Sequence, residues 1–394
     1  MSGVTLRRLT REVEELAARG TEPAVLAALL AWTVRPRRTL EGLRRALVAH
    51  RGTDGRPPAQ ALLAAVRDHV DDSDAAAASR LLPRWRARGC RLSVVGDPGY
   101  PARLAEAWPM TDGPVLLAAA GAGPPPGPTV AIVGARNASS YGTGIAAWLA
   151  EVASAAGVHV VSGGAVGIDA AAHRAALEGP GGTSVVLGCG HDVGYPRGHA
   201  GAGGLFERIL VAGGGLLSEQ LPAVPPKAGI VRARNRIVAG LADVVVVVEG
   251  GPRSGALLTA GAAAERGRPV LAVPGDIRVP GSAAPNRLLA EGVGACTDPA
   301  DLLAALPSDR VAAAATVPQA PAGASLPVTL LPSEVHRQLA RAWPRAVPGD
   351  VLIDRSGLPA GTVLAALTRA QMAGEVVERA DGFVLRRDPE PAAG

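Results

Sequence analysis

The sequence predicts an α/β protein built on a doubly wound, parallel-rich sheet. Three observations carry that reading. Strand-like apolar runs alternate with helix-like segments from residue 129 to residue 306. One run, Val244 to Val248, is five consecutive valines, the mark of a strand covered on both faces. The runs open into loops of Gly, Ser and other small residues that lead into helices.

The strand-like runs are Val130–Val133, Val158–Ser162, Ser184–Leu187, Val244–Val248 and Val270–Val273. Ile145–Ala156, Asp169–Leu177 and Gly255–Arg266 read as the helices between them. Residues 1–95 read as a small helical domain, in which segments such as "LTREVEELAARG" and "TLEGLRRALVAH" have helical apolar spacing and are broken by Pro, Gly and Asp. Residues 96–128 form a connector that ends in "GAGPPPGP". Residues 129–306 are the α/β core. Residues 307–328, rich in Ala and Pro, read as a linker. In residues 329–388 the turn "SGLPAG" separates two short helices, and the D-G of "EVVERADGFVLRR" signals a hairpin. Three helices and a hairpin make a winged helix. Residues 311–394, which contain it, carry 8 Lys+Arg against 8 Asp+Glu, a balance that favours protein contact over base readout.

Composition narrows the function. The chain has 394 residues, of which 48% are apolar. No apolar run reaches the roughly 20 residues needed to cross a bilayer. Met1 to Gly20 is charged and helical, unlike a secretory signal. Cys90, Cys189 and Cys296 stand apart, with no C-x-x-C pair for a zinc site or disulfide framework. No metal, cofactor or membrane is expected, and the cytoplasm is the expected location. The net charge of +5 points to an anionic partner, but the surplus is uneven. Residues 1–100 carry 17 Lys+Arg against 11 Asp+Glu, whereas residues 101–310 carry 15 against 16. An anion site in the core therefore needs a local cluster. Arg35, Arg37, Arg38, Arg44 and Arg45 form a basic face that reads either as a nucleic-acid contact or as a solvated surface.

Ligands of doubly wound sheets sit beyond the carboxyl ends of the strands. Four small-residue loops lie there: "GARNASSYG", "SGGAVGIDAAAH", "EGGPRSGALLT" and "PGDIRVPGSAAPN". The first follows the spacing of neither G-x-G-x-x-G nor a P-loop, and it carries Arg136. The segment "PPKAGIVRARNRIVAG" holds Lys227, Arg232, Arg234 and Arg236, with no acid between Glu219 and Asp243. If extended, its three arginines share a face; if helical, they fan out. With Arg136 and Arg253, six cations are expected to converge on one edge. Guanidinium forks suit phosphate oxygens, and Asn235 either bonds a base or holds the loop. Enzyme readings are weaker. Asp169 and His173 at i and i+4 suit helix capping and packing better than catalysis. Cys189 beside His191 suits a small buried thiol as well as a nucleophile. No catalytic residue is expected.

These strings in this order resemble the DNA-processing protein A family (DprA, also called Smf). The resemblance rests on "YPARL", "GPVLL", "AIVGARNASSYG", "VVSGGAVGIDAAAH", "GCGHDVGYP", "AVPGDI" and above all "SEQLPAVPPKAGIVRARNRIVAGLADVVVVVEGGPRSGALLTA". It implies an extended Rossmann-like core, an N-terminal helical domain of the SAM or helix-hairpin-helix kind, and the C-terminal winged helix. It also implies a pocket for single-stranded DNA, loading of the RecA recombinase during natural transformation and recombination, and a homodimer through the core. The resemblance assigns Gly134, Arg136, Arg234, Asn235, Arg236, Arg253, Ser254 and Gly255 to DNA; with Ser139, Gly163 and the basic cluster's Lys227 and Arg232 they make up the expected DNA-binding set. The chain departs from the family at Val166, at Val231–Arg232 and at Ser282 to Asn286. The second departure replaces an aromatic residue, so binding is expected to lean on phosphates more than on stacking. The rival reading is a nucleotide phosphoribohydrolase of the lysine-decarboxylase-like group. It is weakened because "EGGPRSGALLT" lacks that group's glycine turn and glutamate.

Overall fold

The valine run shows how the sheet is built. In the computed structural model, Val245 and Val247 pack into one apolar cluster, while Val244, Val246 and Val248 pack into another. Ala131 and Val133 divide from Val130 and Ile132 in the same way. Side chains alternate across a strand, so a run that is apolar throughout needs cover on both faces. The helices Ser140–Ala155 and Ile168–Ala176 contribute to one cluster, and Leu205–Val211, Asn235–Leu241 and Gly255–Ala264 contribute to the other. The structure describes residues 5–34, 63, 66, 69–105, 113–124, 127–307, 331–342, 345–372, 376–379 and 381–385.

Among the described residues nine strands make the main sheet: β1 (Cys90–Val94), β2 (Leu116–Gly121), β3 (Thr129–Val133), β4 (His159–Ser162), β5 (Thr183–Val186), β6 (Gly215–Ser218), β7 (Val244–Val247), β8 (Val270–Ala272) and β9 (Gly294–Ala295). Their order is β1-β2-β6-β5-β4-β3-β7-β8-β9. Every pairing from β6 to β9 is parallel, and β2 joins β6 antiparallel. In register, Val130 faces Val244 and Val133 faces Val247. From β3 the chain steps outward through β4, β5 and β6, then returns to place β7 on the other side of β3. The order therefore reverses between β3 and β7, which is the switch point of a doubly wound sheet. The architecture is Rossmann-like.

The sheet starts earlier than the sequence boundaries place it. β1 lies inside the stretch 1–95, and β2 lies inside the supposed connector 96–128. The N-terminal helices Leu6–Val13 and Pro23–Thr33 bury Leu9, Leu26 and Leu29 in the same cluster as Leu92 of β1 and Leu117 of β2. The buried Arg103 explains "YPARL": its guanidinium donates to Asp243 at 3.0 and 2.8 Å, and Asp243 also accepts from the Thr129 N–H at 2.9 Å. That ion pair ties the segment before β2 to the starts of β3 and β7.

The chain divides into two compact units, Met1–Val317 and Pro318–Gly394. In the second, the helices Ser333–Ala342, Gly349–Ser356 and Ala360–Met372 enclose Val335, Leu339, Leu352 and Val363. β10 (Val376–Arg379) and β11 (Gly382–Leu385) pair antiparallel beyond them. Gly357, at φ +66°, ends the helix Gly349–Ser356 in the left-handed conformation that glycine adopts without strain. The basic face Arg35–Arg45 and the linker from residue 308 onward lie outside the described residues.

Candidate nucleic-acid interface

The loops after β3, β4 and β7 meet the segment Pro226–Asn235 over the β3–β7 junction. They enclose a cleft of about 730 Å³. Among the described residues five cationic side chains line it, those of Arg136, Lys227, Arg232, Arg234 and Arg253, against one carboxylate, Asp169. Arg136, Lys227, Arg232 and Arg253 are exposed, and among the described residues none of the four has an ion-pair partner. Thus a domain with no global surplus of positive charge concentrates it in one cleft.

The arginine segment is helical. Two short helices, Ala228–Ala233 and Asn235–Leu241, join at Arg234. The arginines therefore fan out, and each meets a different fate. Arg232 faces the cleft. Arg234 is buried to 6% exposure and donates from Nη1 to the Val186 carbonyl at 2.7 Å. Its Nη2 stands 3.9 Å from Asp169 Oδ2. Asp169 in turn accepts from the Gly163 and Ala165 N–H groups at 3.1 and 3.2 Å. Burial raises the Asp169 carboxyl pKa, and Arg234 opposes that shift. Gly163 is glycine for a steric reason, because a Cβ there would overlap the Arg234 guanidinium.

Arg236 departs from the expected convergence. Its guanidinium is held by Glu219 in a paired fork at 2.9 and 2.5 Å, and it does not line the cleft. The acid-free interval begins with Glu219 itself, and the fan of the helix carries Arg236 back to it. Ser139 does not line the cleft either. It caps the helix Ser140–Ala155, accepting from the Gly142 N–H, while its own N–H donates to Glu249 at 2.9 Å and its hydroxyl to the same carboxylate. The buried Glu249, at the end of β7, thus fills the helix N-terminus where a nucleotide phosphate sits in many doubly wound proteins. The first loop is a phosphate loop in layout, with its phosphate position taken by a carboxylate.

The remaining expected residues stand at the cleft. Gly134, Gly163, Asn235, Arg253, Ser254 and Gly255 all line it. Asn235 holds the loop, donating from Nδ2 to the Gly255 carbonyl at 3.0 Å. Ser254 caps the helix Gly255–Ala264 by accepting from the Ala256 N–H at 3.2 Å. Gly167, at φ +84°, lets the next loop approach: a Cβ there would strike the Ala135 and Arg136 carbonyls, and Ile168 donates to Ala135 O at 3.1 Å. That contact fixes the backbone beneath Arg136.

The weaker enzyme candidates are accounted for by packing. His173 is fully buried with Nδ1 2.7 Å from Thr183 Oγ1. The Thr183 hydroxyl donates to Val160 O, so Oγ1 accepts from Nδ1, which carries a proton. Burial, reinforced by Arg234, pushes its pKa down to about 3. His191 spends its Nε2–H on the Leu216 carbonyl at 3.0 Å, and burial pushes the Cys189 thiol up to about 11. A thiol so placed is not a thiolate at neutral pH.

Two residues at the site went unread in the sequence. Glu249 was legible only as an acid after a strand. Tyr195 lies in the loop after β5, at 36% exposure, lines the cleft and accepts from Arg136 Nη1 at 3.4 Å. Its signal was an aromatic in "GYP", at a strand's carboxyl end.

Fold and site together define a Rossmann-like α/β protein with an electropositive cleft at its switch point. The model of a family described as DNA recombination-mediator protein A matches residues 91–307, more than half of the chain. Protein Smf of Escherichia coli K12 is 38% identical over 268 residues, covering 66% of this chain and 68% of that protein. A putative DNA processing protein DprA of Mycobacterium tuberculosis is 41% identical over 254 residues, covering 64% of this chain and 62% of that protein. The X-ray structure of DNA processing protein A (DprA) from Streptococcus pneumoniae aligns at 28% identity with a TM-score of 0.51, over 77% of this chain and 98% of that one. The chain belongs to the DNA recombination-mediator protein A family. Among the described residues, no helix is long and apolar enough to cross a membrane.

Proposed function

We propose that the cleft binds single-stranded DNA by its phosphodiesters, shields the strand and passes it to the RecA recombinase during transformation and recombination. One observation carries this reading. Four cations without an ion-pair partner among the described residues, Arg136, Lys227, Arg232 and Arg253, ring an open cleft, while Glu249 occupies the N-terminus of the helix after β3. That carboxylate removes one helix N-terminus that a nucleotide phosphate could use. A polymer needs several separated cations along a groove. The relatives' names, which speak of DNA processing and recombination mediation, support the same class of role.

In this reading Gly134, Gly163, Asn235, Ser254 and Gly255 shape the cleft, and Arg234 supports it from below. Arg236 and Ser139 act through the fold and not by touching DNA. The core forms a homodimer, so one strand spans two clefts. The C-terminal unit is a winged helix that docks a protein partner. The protein works in the cytoplasm as a strand carrier without a catalytic step.

Gel shifts with single- and double-stranded oligonucleotides test this. Wild type is expected to retard the single strand in preference, and Arg136→Ala to lose most of that retardation. Equal retardation of both forms would contradict the role. Release of free base from a nucleoside monophosphate would favour the phosphoribohydrolase instead.

A further inference from the structure

The cleft holds one feature that phosphate contacts leave unused. Among its described lining residues Tyr195 is the single aromatic. The ring is partly exposed at the mouth, and its hydroxyl meets Arg136, the cation placed on the β3 loop. Buried tyrosines hide their rings; this chain buries Tyr100 and bonds its hydroxyl to Pro114 O at 2.7 Å. Tyr195 does the opposite and offers its ring to the cleft's edge.

The loop that carries Tyr195 is fastened on both sides. Before it, the Gly190 N–H donates to Val224 O at 2.9 Å and the Asp192 N–H to Pro222 O at 3.1 Å. The Asp192 carboxylate pairs with Arg84, on the helix Leu82–Ala87, at 2.5 Å. After it, the buried His199 bonds from Nδ1 to Gly164 O at 3.0 Å, and Phe206 N–H donates to His199 O at 3.0 Å. An aromatic ring held in place by its loop loses little freedom on binding. Val231, another lining residue, is aliphatic and cannot stack.

We infer that Tyr195 is a base-stacking platform: a nucleobase of the bound strand lies on its ring while Arg136 holds an adjoining phosphate. The inference rests on the reading of the cleft as a single-strand site and adds a contribution from the bases to its affinity. Stacking is sequence-tolerant because every base has a π-face. The platform therefore favours unpaired strands, whose bases are free to reach it, over duplexes.

Fluorescence anisotropy separates the two levels of the proposal. The probes are a labelled oligothymidine and an abasic deoxyribose-phosphate oligomer of equal length. Wild type is expected to bind oligothymidine roughly five- to tenfold more tightly than the abasic strand. Tyr195→Leu is expected to bring oligothymidine to the abasic level with an unchanged salt slope, and Tyr195→Phe to stay near wild type. Because the ring is partly exposed, the variants' melting temperatures should match wild type, which checks that they fold. Equal wild-type affinity for both probes, or full affinity in Tyr195→Leu, overturns the platform and leaves the phosphate site standing. Failure of wild type to bind either probe overturns both.

Discussion

Arg234 and Arg136 line the same cleft and carry the same side chain, yet they do different work. Arg234 is buried, bonded to a carbonyl and set beside the equally buried Asp169. Arg136 is exposed and touches a tyrosine hydroxyl. Arg236, two residues past Arg234, is locked to Glu219. A cation tied to a carboxylate cannot also neutralise a phosphate without breaking that pair. Burial and partners, not residue type or spacing, decide which arginines are structural and which are free to bind.

This contrast is open to attack from the largest effect downward. Arg234→Ala should cost about 3–5 kcal/mol of stability, because Asp169 is left as a buried charge without its cation. The urea midpoint measures this. A variant as stable as wild type would move Arg234 into the binding class. Next in size is the response to acid. Burial holds His173 and His159 down to about 3 and about 4. Unfolded histidine takes its proton near 6.5, so the unfolded chain binds more protons below that pH. The stability from these two rings is whole above about pH 6.5 and falls as pH drops toward their folded values. Each contributes at most about 1.4 kcal/mol per pH unit. Urea midpoints at pH 7 and pH 5 should show the fall, and His173→Gln should lessen it.

Smaller effects belong to the exposed cations. Arg136→Ala should leave the melting temperature unchanged and weaken oligothymidine binding several-fold. Arg236→Ala should do the reverse, lowering the melting temperature while leaving the response of binding to salt intact. Titrations of both variants, at two salt concentrations, sharpen the sorting of the two classes.

The centre of the sheet was legible in the sequence, and its edges were not. Val130–Val133 and Val244–Val248 announce themselves because both their faces must be apolar. β9 has two residues, and β6 opens on glycine; such strands exist because a neighbour offers hydrogen bonds. β1 and β2 were hidden because they join across the far edge, after a helical stretch. The site shows the same division. Small-residue loops mark where the chain must approach itself or a ligand, so the cleft's position was readable. The fates of Ser139, Arg234 and Arg236 depended on Glu249, Asp169 and Glu219, carboxylates that the fold brings from other elements. Spacing along the chain carries no record of such meetings.

The central claim is that four cleft cations, without ion-pair partners among the described residues, contact phosphodiesters, and the salt dependence of oligothymidine binding tests it most directly. With about four phosphates neutralised, log affinity should fall against log salt with a slope of roughly −3, and Arg136→Ala should flatten it by roughly 0.7. A wild-type slope near zero, or one that Arg136→Ala leaves unchanged, would contradict the account.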